Sequence, residues 1–378
     1  SLDLDRPLDP IWRIAQPLAL RRDGASKALH VDALVRGELL SAPARWSGQS
    51  LALAVDLDLA QLEWRSGLEL GLVRDGTGLD DGSSPLGIDV TTSGGGSERT
   101  HEFACMSYGR RSIARIPFLV GEPGDRLGRV SIRATLLPEL GEWTCQIERA
   151  SGEVLLYARN EIVVAGDAAG PLRLTVASSR GPAAWVDADI HRLELTGASL
   201  AADLVDAPID GALGDGRHAS VDDDPLAALA AFARAAAPTS ADRLLAVVAL
   251  ARLSRWDEAE RALAPLLADK DTAGALYVTL KALLRTDVGA FGALVRAAAG
   301  PAELRRRLAD AWIFAVMMER DPRAFAIAWS GLAERDLDTD SFEVLKVHAV
   351  AAAALGHVAA AQTSYRAAMA ALAFPERT

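Results

Sequence analysis

Acidic residues, histidines and cysteines are the side chains of this sequence that could do chemistry, and their spacing gives that chemistry little support. Asp56 and Asp58 alternate with apolar residues in VDLDL (55–59), which would place both on the solvent face of one strand. Calcium needs several oxygen ligands together, and a solvated strand face explains two aspartates without a metal. The six histidines include no His-Glu-x-x-His pair for zinc. His101 and Cys105 could share a metal only if two further ligands came from elsewhere, so we predict no metal or cofactor.

Motifs for covalent catalysis and phosphate binding are also absent. No Gly-x-Ser-x-Gly segment is present to hold a serine nucleophile. The glycine-rich segment SGGGS (93–97) is not followed by Lys-Ser or Lys-Thr, so it is typical of a hairpin tip and not of a phosphate loop. The sequence therefore predicts a protein that is not an enzyme and has no catalytic residues.

Charge divides the chain into an acidic first part and a nearly neutral second part. The 378 residues carry a net charge of −11, and residues 1–224 hold 22 of the 40 basic and 34 of the 51 acidic residues, a balance of −12. An acidic surface repels phosphate backbones, so we predict no nucleic-acid partner. The one dense basic run, RRR (305–307), is typical of a solvated helix face.

No segment of the sequence indicates a membrane or an export signal. No apolar run reaches the roughly 18 residues that a membrane helix needs, and no signal-peptide pattern opens the sequence. These observations weakly favour the cytoplasm. Cys105 and Cys145, the two cysteines, lie in strand-like stretches beside apolar residues. Buried free thiols are the favoured interpretation because free cysteine behaves as a small apolar residue; a single bridge between facing strands is the alternative outside a reducing compartment.

Residues 11–200 alternate repeatedly between apolar and polar side chains, a pattern typical of strands with one buried and one solvated face. The clearest segments are LELGLV (68–73), LGIDV (86–90), VSIRATL (130–136), WTCQIE (143–148) and LRLTV (172–176). Stretches rich in Gly, Pro and Asp separate them, among them RDGTGLDDGSSP (74–85) and GEPGDRLG (121–128). Many short strands with such turns predict an antiparallel β-sandwich.

Two segments resemble a known family of sandwiches. PAAWVDADIHRLELTG (182–197) resembles the last strands of laminin-G-like and concanavalin A-like jelly rolls, and GEWTCQIERASGEVLLYAR (141–159) resembles a hairpin of that fold. The resemblance implies a jelly-roll domain over residues 1–200. Members of the family often bind glycans, sometimes with calcium, and some hydrolyse polysaccharides with a Glu-x-Asp-x-x-Glu strand that this sequence lacks. Sugar rings stack on aromatic side chains, so the candidate glycan contacts are Trp46, Trp64 and Trp185.

After a polar, glycine-rich linker predicted at 201–224, the composition changes to Ala, Leu and Arg, which is typical of helices and of a bacterial protein. Asp224 before Pro225 predicts a helix start, with the aspartate as N-cap and the proline in the first helical position. Residues 225–378 are therefore predicted to be helical.

Small residues recur at turns in this helical part. Each of the segments SRWDEA, RTDVGA, ERDPRA and LGHVAAA ends in an alanine, and these alanines are Ala259, Ala290, Ala324 and Ala361. Their spacings of 31, 34 and 37 residues resemble the tetratricopeptide repeat, in which a small residue lets the second helix of a hairpin approach the first. The resemblance implies an α-solenoid of about four helical hairpins; an irregular helical bundle is the alternative.

The leading functional interpretation is a non-enzymatic scaffold in which the helical array binds a protein or peptide and the sandwich supports it or binds a second ligand. The positions that the family uses for its concave groove fall on Arg252, Thr279, Arg306, Ile313 and Lys346. The same face could instead pack against the sandwich. The alternative function is a carbohydrate-binding sandwich tethered to a helical repeat, and a polysaccharide hydrolase is a remote third.

Overall fold

The computed structural model of the chain forms two compact units, Ser1–Ala236 and Ala237–Thr378. The residues that the structure describes are 7–8, 12–16, 20–23, 27–33, 38–62, 67–74, 77–79, 82–95, 98–119, 128–163, 171–178, 186–200, 211–266 and 342–373.

The described part of the first unit contains fifteen strands. They are β1 (Arg13–Gln16), β2 (Leu20–Asp23), β3 (Ala28–Ala33), β4 (Glu38–Trp46), β5 (Leu51–Leu62), β6 (Gly67–Arg74), β7 (Gly87–Gly95), β8 (Glu98–Ser107), β9 (Arg110–Leu119), β10 (Arg129–Leu137), β11 (Glu142–Arg149), β12 (Val154–Glu161), β13 (Leu172–Ser178), β14 (Val186–Thr196) and β15 (Ala198–Leu200). One turn of 3-10 helix, Pro138–Leu140, joins β10 to β11.

These strands form two antiparallel sheets that share one hydrophobic core. Sheet A has the order β1-β4-β13-β6-β7-β8-β9, with β15 also paired to β4, and sheet B has the order β2-β3-β14-β5-β10-β11-β12. In β10 the predicted alternation is borne out: Val130, Ile132, Ala134 and Leu136 are buried, and the residues between them are more exposed. The predicted antiparallel β-sandwich is confirmed: apolar residues alternate along the strands, and the apolar faces of the two sheets are buried against each other.

The two cysteines form a disulfide bond between the sheets. Cys105 on β8 of sheet A is bonded to Cys145 on β11 of sheet B, with Cα atoms 5.6 Å apart. The favoured interpretation of the sequence, buried free thiols, is therefore wrong, and the alternative of one bridge between facing strands is correct. The physical reason is that the two inward-facing positions lie opposite each other across the sandwich, which the sequence does not reveal. Disulfides persist in oxidising compartments, so the bridge weighs against the cytoplasmic expectation.

A helix lies where the sequence predicts part of a linker. This helix, α1 (Gly211–Val221), contacts β1 and β2, the edge strands of the two sheets on one side of the sandwich. Val221 joins the sandwich core. Arg217 donates a 3.1 Å hydrogen bond to the carbonyl oxygen of Ile14 on β1. The carboxylate of Asp222, just after the helix, accepts hydrogen bonds from Arg22 Nε on β2 at 2.7 Å and from the backbone N–H of Leu8.

The helix predicted to start at Asp224 and Pro225 is present as α2 (Pro225–Phe232). The side chain of Asp224 accepts a hydrogen bond from the N–H of Ala227 at 3.0 Å, and Pro225 is the first helical residue, as predicted. α2 packs against α1 and belongs to the first unit, which extends to Ala236, beyond the boundary at residue 200 expected from the sequence.

The described part of the second unit consists of two helical hairpins. They are α3 (Ser240–Arg252) with α4 (Trp256–Leu266), and α5 (Phe342–Ala354) with α6 (Val358–Ala373). α3 begins with a capping box in which Thr239 and Asp242 bond reciprocally. Ala259, the small residue predicted to permit close approach, is buried in α4.

Two of the four predicted hairpins therefore have helices in the expected places. The turns at 285–290 and 319–324 lie outside the described residues, so a solenoid of four hairpins is not shown. Within the last hairpin, the imidazole of His348 is hydrogen-bonded to the hydroxyl of Ser364, and burial lowers the pKa of His348.

Candidate functional site

The outer face of sheet A carries charged and hydroxyl side chains, of which Asp89, Arg173 and Thr175 are buried. Inward-facing residues of its central strands, such as Leu70, Ile88 and Val176, belong to the core, so the alternate residues face outward. We call the outward set the polar face; its members are Glu69, Asp89, Glu102, Arg111, Arg115, Arg173 and Thr175. An outer sheet face with buried polar groups is unusual, because each such group loses its hydration.

Ion pairs cross the strands of the polar face. Arg111 Nη2 on β9 donates to Asp89 Oδ2 on β7, and Asp89 is only 6% exposed. Arg115 Nε donates to Glu102 Oε1 at 2.8 Å. Glu69 lies directly opposite Asp89 in the register of β6 and β7. The two guanidinium groups therefore stand beside three carboxylates, of which Glu69 and Asp89 lie directly opposite each other.

Small residues form the floor between these charged side chains. Gly71, Gly87, Ala104 and Ala177 face outward on four neighbouring strands, and all four are buried. The side chain of Leu79 lies directly over the two glycines, since a Cβ placed at Gly71 or Gly87 would come within 2.6 Å or 2.8 Å of Leu79 Cδ2. Leu79 also packs with Val73 and Met106 in a small second cluster. The face is thus shallow at its centre and covered there by one leucine.

Substitution of the two glycines under Leu79 is expected to lower the free energy of unfolding by different amounts. A Cβ at Gly71 would also lie 2.7 Å from the backbone Cα of Gly87, whereas a Cβ at Gly87 would meet only the Leu79 side chain. Backbone cannot yield as a side-chain terminus can, so we expect Gly71→Ala to lower the free energy of unfolding by about 1–3 kcal/mol and Gly87→Ala by less than about 1 kcal/mol. Urea unfolding of both variants checks this; equal losses would contradict the close approach of the Gly87 backbone to Gly71.

A buried hydroxyl lies at the edge of the floor. Thr175 is 3% exposed, and its Oγ1 has no hydrogen-bond partner among the described residues. Its neighbour two residues back, Arg173, donates to the carbonyl oxygen of Ser41 at 3.2 Å. Ser41 lies at an irregularity in β4, where its hydroxyl accepts the N–H of Leu174. The sheet therefore offers an uncommitted hydroxyl beside a fixed guanidinium.

One aromatic side chain is held at the end of the strands that carry the polar face. Tyr108 occupies the turn between β8 and β9 with φ of 47°, and its N–H donates to the carbonyl of Ser84 at 2.8 Å. Burial raises the pKa of Tyr108, and the nearby Arg74 opposes that shift. The phenol therefore stays protonated at neutral pH and can donate a hydrogen bond.

Trp46 is the one predicted glycan-stacking residue in the described part of the chain, and it is not a member of the polar face. Trp46 is partly buried against the core, and its indole N–H donates to the carbonyl of Gln49 at 2.7 Å. Trp64 and Trp185 lie outside the described residues. Of the predicted groove residues in the helical part, Arg252 lies in the last turn of α3 and Lys346 lies in α5; the others, Thr279, Arg306 and Ile313, lie outside the described residues. These assignments stay predictions.

The candidate metal ligands of the sequence have other partners or positions. Asp56 and Asp58 face outward on β5, as predicted, and Asp56 lies 3.9 Å from Arg129. Asp58 is opposite Asp189, which is hydrogen-bonded to His30 at 2.6 Å. Within the described residues no group of three or more His, Cys, Asp or Glu side chains could hold a metal ion. His101 is hydrogen-bonded to Thr92 at 3.2 Å, and Cys105 is in the disulfide.

Sequence reasoning missed the polar face because β13 is buried on both of its faces. The alternation in LRLTV predicts that Thr175 faces solvent. In the structure every residue of β13 from Leu172 to Ser178 is buried. The available signal was the pair of glycines inside strands, Gly71 and Gly87, since glycine within a strand often marks close approach of another group.

In the described part of the chain no helix is long and apolar enough to cross a membrane.

Comparison with known proteins gives only distant structural similarity. No protein-family model matches the chain, and no curated protein is similar to it in sequence. Among solved structures it is similar to the carbohydrate recognition domain of Emp47p, with 14% identity, 52% of this chain and 92% of that chain covered, and a TM-score of 0.36.

Two further solved structures are similar at the same level. Lectin II from Ulex europaeus shares 11% identity, over 50% of this chain and 94% of that chain, with a TM-score of 0.37. The alginate lyase from Klebsiella pneumoniae shares 10% identity, over 47% of this chain and 82% of that chain, with a TM-score of 0.32. Similarity at this level assigns neither a family nor a ligand.

Proposed function

We propose that the first unit, Ser1–Ala236, binds carbohydrate on the polar face of sheet A. The observation that carries the proposal is the buried carboxylate of Asp89, paired with Arg111, on a face where the buried hydroxyl of Thr175 lies at the edge of a floor of glycine and alanine. Carboxylates accept, guanidinium groups donate and hydroxyls do both, which matches the mixed donors and acceptors of a sugar ring. Ligand sites typically combine a shaped surface with a few convergent polar groups.

The burial of Asp89 and Thr175 supports a binding role. Burying a polar group costs free energy unless its hydrogen bonds are replaced, and Thr175 Oγ1 has no replacement among the described residues. A ligand hydroxyl that reached Thr175 would supply the missing partner. The ion pair of Arg111 with Asp89 fixes both side chains, so the entropy lost on binding is small.

The proposal is binding without turnover. Glu69 and Asp89 face each other across β6 and β7, and a hydrolase needs two carboxylates flanking the scissile bond. Asp89 is engaged by Arg111, and no motif of the sequence supports catalysis. Release of reducing sugar from any bound polysaccharide would contradict the non-enzymatic assignment while leaving the binding site in place.

A glycan array probed with the full chain tests the proposal, followed by titration of the best glycan. We expect Asp89→Asn to weaken binding at least about tenfold, because it weakens a charge-assisted hydrogen bond worth about 1.5–3 kcal/mol. Asp56→Asn is the matched control, since it makes the same change of charge on the outer face of sheet B. Absence of any bound glycan, or equal affinity of the two variants, would overturn the proposal.

The helical unit keeps its proposed role as a tetratricopeptide-like module that binds a protein. Support comes from the spacing of Ala259, Ala290, Ala324 and Ala361 and from the two helical hairpins in the expected places. Of the predicted groove residues, Arg252 and Lys346 lie on the described helices α3 and α5.

A further inference from the structure

A row of outward-facing residues crosses the middle of sheet A, and a leucine from the connection between β6 and β7 lies on it. In the register of the sheet the row passes through five neighbouring strands as Leu40, Thr175, Gly71, Gly87 and Met106. The two glycines leave a depression in the row because they have no side chains. Leu79 fills this depression, since it is 1% exposed and its Cδ2 would collide with a Cβ at either glycine.

The hydroxyl of Thr175 lies at one end of the depression and is sealed from solvent. Thr175 is directly opposite Leu40 on one side and Gly71 on the other. Leu40 carries a side chain and Gly71 does not, so the space beside the hydroxyl is the depression that Leu79 fills. Thr175 Oγ1 is buried and has no hydrogen-bond partner among the described residues. A hydroxyl in this position loses its hydration without a replacement.

The sides of the depression are apolar. Leu79 packs there with Val73 and Met106, and Leu40 packs against the same cluster. This cluster lies on the outer face of sheet A, separate from the core between the sheets. A ligand that took the place of Leu79 would therefore meet apolar side chains at its sides and one hydroxyl, that of Thr175, at its end.

Two arginines near the depression are committed to other partners. Arg173, two residues from the hydroxyl, donates to the carbonyl oxygen of Ser41 at 3.2 Å. Arg111, which follows the row on β9, donates to Asp89. A uronic acid would place its carboxylate against the apolar sides of the depression, which costs free energy unless a cation pairs with it. A neutral sugar ring has no such cost.

We propose that the depression over Gly71 and Gly87 is a subsite for a neutral sugar ring, and that Leu79 covers this subsite until the ring takes its place. The inference rests on the proposed function, because it extends the same glycan across the polar face. Asp89 is two residues from Gly87 on that face, about 7 Å along the strand. The C–H groups of the ring pack where Leu79 packs, and one ring hydroxyl bonds Thr175.

Thr175→Val separates the cost of the hydroxyl from its use. Valine keeps the shape of threonine and removes the unpartnered oxygen, so we expect the full chain to unfold at a higher urea concentration. The variant should also bind the best neutral glycan about three- to tenfold more weakly, which is the effect of one lost hydrogen bond. Thr135→Val, on the outer face of sheet B, is the matched control and should not change affinity. Lower stability, or unchanged affinity, in Thr175→Val overturns the proposal.

Leu79→Ala uncovers the subsite. Alanine is too short to fill the depression, so the ring no longer competes with the leucine, and we expect the same glycan to bind about fivefold more tightly. Leu213→Ala shortens a buried leucine on α1 and controls for loosened packing. It should leave the affinity unchanged. An equal gain in both variants, or no gain in Leu79→Ala, contradicts a covered subsite.

A stability measurement tests the cover without any glycan. Water reaches the hydroxyl of Thr175 once Leu79 is shortened, so Thr175→Val should raise the urea midpoint of the wild type but not that of Leu79→Ala. The same increase in both backgrounds would show that Leu79 does not seal the hydroxyl, and would overturn the inference.

Matched neutral and uronic acid oligosaccharides test the ligand class in the full chain. The gain in Leu79→Ala should be confined to the neutral oligosaccharide, and a larger gain for the uronic acid would overturn the proposal. Weaker binding in Asp89→Asn with unchanged affinity in both Leu79→Ala and Thr175→Val would overturn this inference alone and leave the proposed function standing. Absence of glycan binding by the wild type and by Leu79→Ala would overturn both.

Discussion

Replacing Cys105 and Cys145 together with alanine is expected to lower the free energy of unfolding of the first unit by about 4 kcal/mol. The bond closes a loop with a sequence separation of 40, and the loss follows from the larger conformational freedom of the unfolded chain without that constraint. Both cysteines are fully buried, so alanine adds no buried polar group, and the lost sulfur volume adds a cavity cost of the same sign.

Urea unfolding of the double variant and of the two single variants provides the measurement. Each single variant already breaks the bridge, so the three losses should be similar instead of additive. The slope of the free energy with urea should rise, because an uncrosslinked unfolded chain exposes more surface. Unchanged stability in the oxidised wild type and the double variant would show that the thiols are not bonded.

A fragment that ends at residue 200 is expected to be less stable than one that ends at residue 236 by about 3–5 kcal/mol. The shorter fragment loses α1, so the core loses Val221 and the carbonyl of Ile14 loses Arg217. It also loses Asp222, which accepts hydrogen bonds from Arg22 and from the N–H of Leu8. Urea unfolding and circular dichroism of the two fragments check this difference.

Two substitutions in the longer fragment separate the effect of losing the Asp222 contacts from the effect of removing residues 201–236 as a whole. Asp222→Ala removes the partner of Arg22 and of the N–H of Leu8, and we expect it to reproduce about 2 kcal/mol of the loss. Asp215→Ala is the matched control on the same helix, since Asp215 is exposed and lies 3.7 Å from the exposed Arg234; such surface pairs contribute little. Equal stability of the two fragments would show that residues 201–236 are a linker after all.

Strands such as β6, β10 and β11 could be predicted because the alternation of apolar and polar residues is a local feature of the sequence. In β10 and β11 apolar residues, Ile132 and Ile147 among them, occupy every second position. The alternation can be seen in the sequence because one face of each strand is buried and the other is solvated. The N-cap at Asp224 is equally local, because it depends on a contact with Ala227 three residues away.

The features that could not be predicted depend on contacts between distant residues. Asp222 bonds Leu8 across 214 positions, and α1 has a weakly amphipathic, glycine-rich sequence that is typical of a linker. The pairing of Cys105 with Cys145 depends on how the two sheets face each other. The polar face was hidden for a related reason: Asp89 lies within LGIDV, and only the order of strands in sheet A places it beside Arg111 of β9.

The hydrogen bond between the carboxylate of Asp222 and the N–H of Leu8 has a consequence for biosynthesis. Residues are added from the N-terminus onward, and domains generally fold as units during synthesis. The strands up to β15 emerge from the ribosome before the helix that closes their open side, so the nascent sandwich must wait with its β1 and β2 side uncovered until Asp222 emerges. Cys105 and Cys145 both emerge well before that moment, so oxidation can hold the two sheets together while α1 is still being made.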